Sequence, residues 1–262
     1  MIYLVIALLA EAKPFIKHFD LKKESEKPFT IFSSKDYKMV ITGIGKERAT
    51  IATTHLLTRF MPTKNDFLFN IGLCGAPKKF SIGEALMINK IYSSGKTYYP
   101  DMLLRHPFKE SALTTVEKPQ NSALATCVDM ESSAIYKTAL YFFKTSQLAF
   151  LKIVSDHFSN EIPQKESVYQ WIDQHMQNFE IVFSNAKRFR QKDETITSSL
   201  KQKSIYIEEK LKLSHSQKLQ LKDALIYYIL RYDSEPSLDI STTIESKSQR
   251  NREFELLITS LK

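Results

Sequence analysis

The chain has 262 residues, of which 43% are hydrophobic and 25% charged, with a formal net charge of +8. That balance excludes a disordered or fibrous chain and predicts a globular protein with a sizeable core, long enough for one substantial domain plus an appendage. Lysines and arginines are interleaved with acids instead of clustered, so neither nucleic acid nor an anionic surface is an expected partner.

The segment Met1 to Ala10 resembles a short signal-peptide core but has no basic leader. No stretch reaches the ~20 apolar residues of a membrane span. The segment therefore reads as a buried first strand, Ile2 to Ala7, breaking into a helix at Ala10 to Phe15 and leaving Glu11 near the strand's carboxyl end. Phe29 to Phe32 and Tyr37 to Thr42 read as a hairpin pair. The second strand enters Gly43-Ile44-Gly45-Lys46, and a helix opens from Glu47 through Leu57. This Gly-x-Gly lacks the third glycine of a dinucleotide fingerprint.

Phe67 to Ile71 reads as another buried strand. It ends in Gly72-Leu73-Cys74-Gly75, where two glycines let a ligand approach the main chain. A further strand runs from Ser81 to Asn89, and a polar, aromatic loop from Tyr92 to Asp101. In the weaker stretch from Met102 to Ala125, one strand is expected at Ala112 to Val116.

Cys127 to Ala134 reads as an acid-bearing helix start, suited to the helix N-terminal dipole. The strand Phe150 to Asp156 is apolar through Val154 and turns polar at Ser155-Asp156. Ligands of parallel α/β sheets bind past such strand ends, so Asp156 should face a pocket. Ser167 to Arg188 has helical spacing throughout, with Trp171 and His175 read as core or interface.

Composition changes at Gln191, giving a domain over 1–190 and a linker with helical appendage over 191–262. The linker runs through Ser204. Helices follow at Gln217 to Tyr232, capped by Ser214 or Ser216, and at Asn251 to Leu261. The run Leu219 to Leu230 is apolar on nearly every face and should be buried, with the appendage docked on the domain or on a partner subunit. Cys74 and Cys127 sit in apolar or glycine-rich context, which predicts free thiols and a reducing, cytoplasmic setting. No metal-ligand spacing occurs, and no cofactor is expected.

Glu11, Thr42-Gly43-Ile44-Gly45-Lys46, Asn70 to Gly75, Ser81-Ile82-Gly83-Glu84, Val128-Asp129-Met130-Glu131 and Val154-Ser155-Asp156 form an ordered set. In order and spacing it resembles the nucleoside phosphorylase superfamily, and within it most the methylthioadenosine/S-adenosylhomocysteine nucleosidases, over residues 1 to 188. The resemblance implies an α/β, three-layer αβα sandwich around a mixed, partly closed sheet. It also implies a homodimer or higher homo-oligomer, and hydrolysis of a purine nucleoside's N-glycosidic bond.

On this resemblance Asp156, helped by Ser155, is the general acid at the purine N7, and Glu11 activates the attacking water. Glu131, beside Met130, holds the ribose hydroxyls. Asp129 stands where the nucleosidases carry glutamate, Gly75 and Cys74 form the glycine turn, and Thr115 and Val116 stand in for a shortened purine-contacting segment. The chemistry suits these residue types: a departing purine needs a proton, and an oxocarbenium-like sugar needs a nearby negative charge and a poised water. Leu73 stands where a phosphorylase has serine, so water is the expected nucleophile. A phosphate-dependent phosphorylase, or a non-catalytic nucleoside-binding module with a partner-binding tail, are the alternatives.

Overall fold

The computed structural model describes residues 1–100, 104–119, 124–159, 163–194, 197–232, 234–238, 240 and 246–261. Asp101 of the polar loop, residues 102–103 and 120–123 of the weaker stretch, and Thr195 and Ile196 of the expected linker lie outside these. The chain divides into two compact units, Met1–Ala186 and Lys187–Lys262.

The first unit is built on one mixed sheet. Its strands in chain order are β1 (Ile2–Ile6), β2 (Lys22–Ser25), β3 (Thr30–Ser33), β4 (Tyr37–Ile41) and β5 (Phe67–Gly75), then β6 (Ala85–Ser93), β7 (Lys96–Tyr98), β8 (Lys109–Thr115), β9 (Cys127–Asp129) and β10 (Leu148–Asp156). The helices are α1 (Leu9–His18), α2 (Lys46–Phe60), α3 (Ser132–Ala139), α4 (Lys165–Asp173) and α5 (Met176–Glu194), the last running past the division between units.

Strand β10 pairs parallel with β5 and antiparallel with β6. Because β6, β8, β9 and β5 also follow one another in the sheet, these five strands close on themselves, and β1, β4, β3 and β2 extend from β5 as an open wing. Strands β1, β4, β5 and β10 are mutually parallel, so their carboxyl ends open on one edge.

The two faces of the sheet are sorted by period-two alternation. Along β5, Leu68 joins the cluster holding Ala52 and Leu56 of α2 and Ile135 of α3. Its neighbour Phe69 turns the other way, edge-on to Phe183 of α5 at 4.8 Å between ring centroids. Phe183 and Phe179 continue that layer to Phe19, just past α1, and to Phe15 within it. Helices therefore cover both faces, and the architecture is the three-layer αβα sandwich.

Several local expectations are corrected. Cys127–Asp129 is a strand, not a helix start, and α3 begins at Ser132. A one-residue bridge, Gly75 to Val128, ties β9 to β5. The expected helix from Ser167 to Arg188 is two helices broken at Gln174-His175, where Gln174 Nε2 donates to the Gly83 carbonyl at 2.9 Å and His175 Nε2 lies 2.7 Å from it. The strand placed at Ser81 to Asn89 begins at Ala85 and runs to Ser93. It then turns through Ser94 and Gly95, both at positive φ, into β7, a two-residue hairpin inside the expected loop.

In the second unit, most of the expected linker is helical. Helix α5 reaches Glu194 and α6 (Ser198–Lys210) follows, its cap Thr197 accepting from Leu200 N at 3.2 Å. Helix α7 (His215–Tyr232) is preceded by Ser214, whose hydroxyl accepts from Gln217 N at 3.3 Å. Helix α8 (Lys247–Ser260) starts from a reciprocal capping box between Ser246 and Gln249. These helices share a core of Leu200, Ile207, Leu221, Leu225, Phe254 and Leu261. Only one side of α7 enters it, and Leu219 and Tyr227 remain exposed, contrary to the all-round burial expected. Among the described residues no helix is long and apolar enough to cross a membrane.

Candidate active site

The open edge of the sheet holds a cleft of about 730 Å³, counting its mouth. It is lined by Ala7, Leu8 and Glu11 from the β1–α1 turn, Ile44 after β4, Leu73 to Gly75 at the end of β5, Val128 to Glu131, and Ser155, Asp156 and Phe158 after β10. The ends of β1, β9 and β10 thus bring Glu11, Glu131 and Asp156 to one space.

Glu11 is the third residue of α1 and is buried. Its Oε2 accepts from Leu8 N at 2.9 Å and its Oε1 from Leu73 N at 3.0 Å. Gly72 lets the strand pass this close: a Cβ there would stand 3.4 Å from Glu11 Oε1. Burial raises the Glu11 pKa above the ordinary carboxylate value, against the two N–H donors and the charge of Lys152.

Glu131 precedes α3. Its Oε1 accepts from Gly45 N at 2.7 Å, so the Gly-x-Gly turn turns its amide to a protein carboxylate. Gly45 has φ of 98°, which a side-chain-bearing residue would hold only under strain. Burial, then repulsion from Asp129, lifts the Glu131 pKa from 4.5 to about 7, while Lys152 and the Gly45 bond oppose the rise.

Beneath these acids lies Lys152, a residue that sequence reasoning missed. It sits mid-strand in β10 at 1% exposure, with Nζ 2.9 Å from Asp129 Oδ2. Burial alone would lower its pKa, but Asp129, Glu131 and Glu11 together raise it, so the ammonium is held charged. The signal was one basic residue in an otherwise apolar run, Phe150-Leu151-Lys152-Ile153-Val154.

Asp129 is fully engaged. Its Oδ1 accepts from Thr115 Oγ1 at 2.8 Å, and its Oδ2 from Ser132 N at 2.9 Å and Ser132 Oγ at 2.6 Å, besides Lys152. Thr115 is buried and its hydroxyl also accepts from Ser133 N at 3.1 Å, so its side chain is spent on holding Asp129 and α3. Val116 lines the cleft while its N–H donates to the Asp129 carbonyl at 2.8 Å.

Asp156 follows a bulge in β10. Its Oδ1 accepts from Phe158 N at 2.8 Å and Ser159 N at 3.1 Å, and its Oδ2 from the Ser155 hydroxyl at 2.7 Å. That hydroxyl has a second acceptor, the Cys74 carbonyl at 3.2 Å. Gly75 leaves the space Asp156 occupies: a Cβ at Gly75 would lie 3.1 Å from Asp156 Oδ1. Met130 and Cys74 also line the cleft.

Among the described residues lining the cleft there is no lysine, arginine or histidine. Nearby cations are otherwise placed: Lys46 pairs with Glu117 at 2.7 Å, and Arg48 Nε donates to the Thr42 carbonyl at 3.3 Å. Among the described residues no group of three or more His, Cys, Asp or Glu could hold a metal ion.

No family model and no curated protein matches the sequence. Solved structures do match. A 5′-methylthioadenosine/S-adenosylhomocysteine nucleosidase from Colwellia psychrerythraea 34H, in complex with adenine, aligns at a TM-score of 0.56 and 17% identity, covering 71% of this chain and 93% of that one. The chain has the nucleosidase fold. The 5′-methylthioadenosine nucleosidase of Arabidopsis thaliana aligns at 0.56 and 20% identity, over 72% of this chain and 95% of its own. A futalosine hydrolase mutant of Helicobacter pylori aligns at 0.58 and 14% identity, over 70% and 98%. The nucleosidase fold thus accounts for a share of the chain similar in extent to the first unit.

Proposed function

We propose that the protein hydrolyses the N-glycosidic bond of a purine nucleoside of the methylthioadenosine/S-adenosylhomocysteine type. The observation that carries this reading is the meeting of Glu11, Glu131 and Asp156 around one cleft, with a buried ammonium behind two of them.

The hydrogen-bond pattern suits a division of labour. Asp156 Oδ1 is fixed by two main-chain N–H groups, which leaves Oδ2, held only by a rotatable hydroxyl, to carry the proton to the purine N7. When Oδ2 is protonated, the Ser155 hydroxyl turns to the Cys74 carbonyl. As the base departs, positive charge grows on the ribose, and Glu131, beneath the sugar hydroxyls, stabilises it. Glu11 accepts one N–H on each oxygen and keeps a lone pair on each for the attacking water, whose proton it takes. Its raised pKa makes it a stronger base than an exposed glutamate. Lys152 offsets part of the charge of the three neighbouring carboxylates, so that they can be buried together.

Water suits the cleft as nucleophile better than phosphate, since an anion would meet carboxylates and no cation among the described lining residues, and the Gly45 amide is already given to Glu131. The same reading includes assembly as a homo-oligomer and a cytoplasmic, reducing setting for the two thiols. Light scattering on the purified chain tests the assembly.

The activity is tested by incubating the protein with methylthioadenosine, S-adenosylhomocysteine, adenosine, inosine and futalosine, with and without phosphate, and measuring free base. Release without phosphate is expected. Release only with phosphate makes the protein a phosphorylase, and tight nucleoside binding with no release over long incubation makes it a binding module.

A further inference from the structure

One ion pair stands at the rim of the cleft. Lys46 opens α2, and its Nζ lies 2.7 Å from Oε1 of Glu117, which follows β8. Near neighbours of both in the chain are lining residues, Ile44 on one side and Val116 and Pro119 on the other. The bond therefore joins two walls of the cleft at its border. Its partners are unequal, since the Lys46 side chain is 17% exposed and that of Glu117 74%. The lysine is largely covered, whereas the glutamate stands in solvent and can leave it at small cost, because ion pairs with an exposed member contribute little.

The place of the pair is set by Gly45, whose N donates to Glu131 Oε1 at 2.7 Å. On the proposed reading Glu131 lies beneath the ribose hydroxyls and Asp156 against the base, so Lys46 and Glu117 border the ribose end. That end receives whatever the ribose carries on its 5′ carbon. A charged group there meets no lysine, arginine or histidine among the described lining residues, and finds its first cation at Lys46.

We propose that Lys46 and Glu117 form a subsite for the zwitterionic amino-acid end of S-adenosylhomocysteine and so determine a preference for this nucleoside over methylthioadenosine. The thioether sulfur and its methylenes carry the amino-acid group from the ribose to the rim. There its carboxylate replaces the Glu117 carboxylate on Lys46, and its ammonium pairs with the released Glu117. One carboxylate is exchanged for another on an ammonium already largely covered, so the substrate incurs little fresh desolvation of the lysine. A cation and an anion side by side match an α-amino acid, whereas the methyl group of methylthioadenosine leaves the pair closed on itself.

The proposal rests on the nucleosidase reading of the cleft. Its test measures kcat/KM for base release by the full-length chain, Lys46→Met and Glu117→Gln. The substrates are methylthioadenosine, S-adenosylhomocysteine and two analogues with one charge each, a 5′-carboxypropylthio- and a 5′-aminopropylthio-deoxyadenosine. The wild type should favour S-adenosylhomocysteine over methylthioadenosine by about tenfold, and Lys46→Met should bring that ratio close to unity. Glu117→Gln should raise kcat/KM for the carboxypropyl analogue, by freeing Lys46, and lower it for the aminopropyl analogue. Opposite signs distinguish a binding role from a disturbed fold, which would scale all four substrates alike. A wild-type ratio near unity, or variants that change every substrate by one factor, overturns the proposal. Calorimetry separates it from the hydrolase reading. Tighter binding of S-adenosylhomocysteine than of methylthioadenosine, lost in Lys46→Met, upholds the subsite even where no base is released. Release without that preference overturns the subsite and keeps the hydrolase, and a chain that binds neither nucleoside overturns both.

Discussion

Lys152→Met tests the charge arrangement beneath the cleft. Methionine approximates the volume of the lysine stem and removes only the ammonium, so the effect is electrostatic and not a cavity. Asp129 keeps its donors from Thr115 and Ser132 but loses the charge at 2.9 Å, in a place where both side chains are nearly inaccessible. Removing one partner of a buried pair costs about 3–5 kcal/mol, and Glu131 and Glu11 lose an attraction as well. The penalty depends on pH. Glu131 already has its pKa raised to about 7, so it is the group that takes up a proton to relieve the excess negative charge, and losing Lys152 raises it further. A carboxyl with a raised folded-state pKa contributes stability at low pH and loses it as pH climbs towards that value. The deficit of the variant should therefore be larger at pH 8 than at pH 5.5. Urea unfolding followed by Trp171, the chain's single tryptophan, reads the first unit alone. Lys152→Arg, which keeps the charge, should recover most of the loss. A deficit for Lys152→Met below about 1 kcal/mol, or one equal at both pH values, refutes the reasoning.

Other expectations follow from single contacts. In the wild type, holding Glu131 at a pKa of about 7 instead of 4.5 means that roughly 3 kcal/mol of stability is lost as pH rises between those values. Glu131→Gln, neutral throughout, should show a flatter urea midpoint from pH 4.5 to 8, and an unchanged slope contradicts the buried-acid account. Gly75→Ala would set a methyl 3.1 Å from Asp156 Oδ1, so base release should fall at least tenfold with a thermal midpoint within a few degrees of wild type. A fall in stability without loss of rate would point to packing instead. Thr115→Val strips a donor from Asp129 and an acceptor from Ser133 N, and should cost about 1–3 kcal/mol by urea unfolding.

Much of the sheet was legible because a strand buried on both faces is a continuous apolar run, as in Ile2–Ile6 and Leu148–Val154, and because its polar break marks the open edge. The same rule concealed Lys152: an apolar run with one lysine still reads as a buried strand, and only the three-dimensional meeting of Asp129, Glu131 and Glu11 gives that lysine a reason to be inside. Cys127–Asp129 was misread because two nearby acids before an alanine-containing apolar stretch mimic a helix N-terminus. What makes those residues a strand is non-local pairing with Gly75 and with Leu113 to Thr115. The break at Gln174-His175 was invisible because apolar residues keep helical spacing on both sides of it, while its cause, the Gly83 carbonyl, is far away in sequence. The polar stretch after Gln191 was read as linker because its residues are soluble, yet exposed helix is equally soluble, and Thr197 supplies the cap. The glycine turn at Gly43 to Gly45 was legible as a turn, but its ligand, the Glu131 carboxylate, was not.

The most direct test of the proposed chemistry compares adenine release from methylthioadenosine, in phosphate-free buffer, by the wild type and by Asp156→Asn. Asparagine preserves the shape and can still accept from Phe158 N and Ser159 N, but carries no proton to give. The wild type should release adenine, and the variant should do so ~10²–10⁴-fold more slowly with its fold intact. Equal rates in the two proteins, or no release by a folded wild type, would contradict the account.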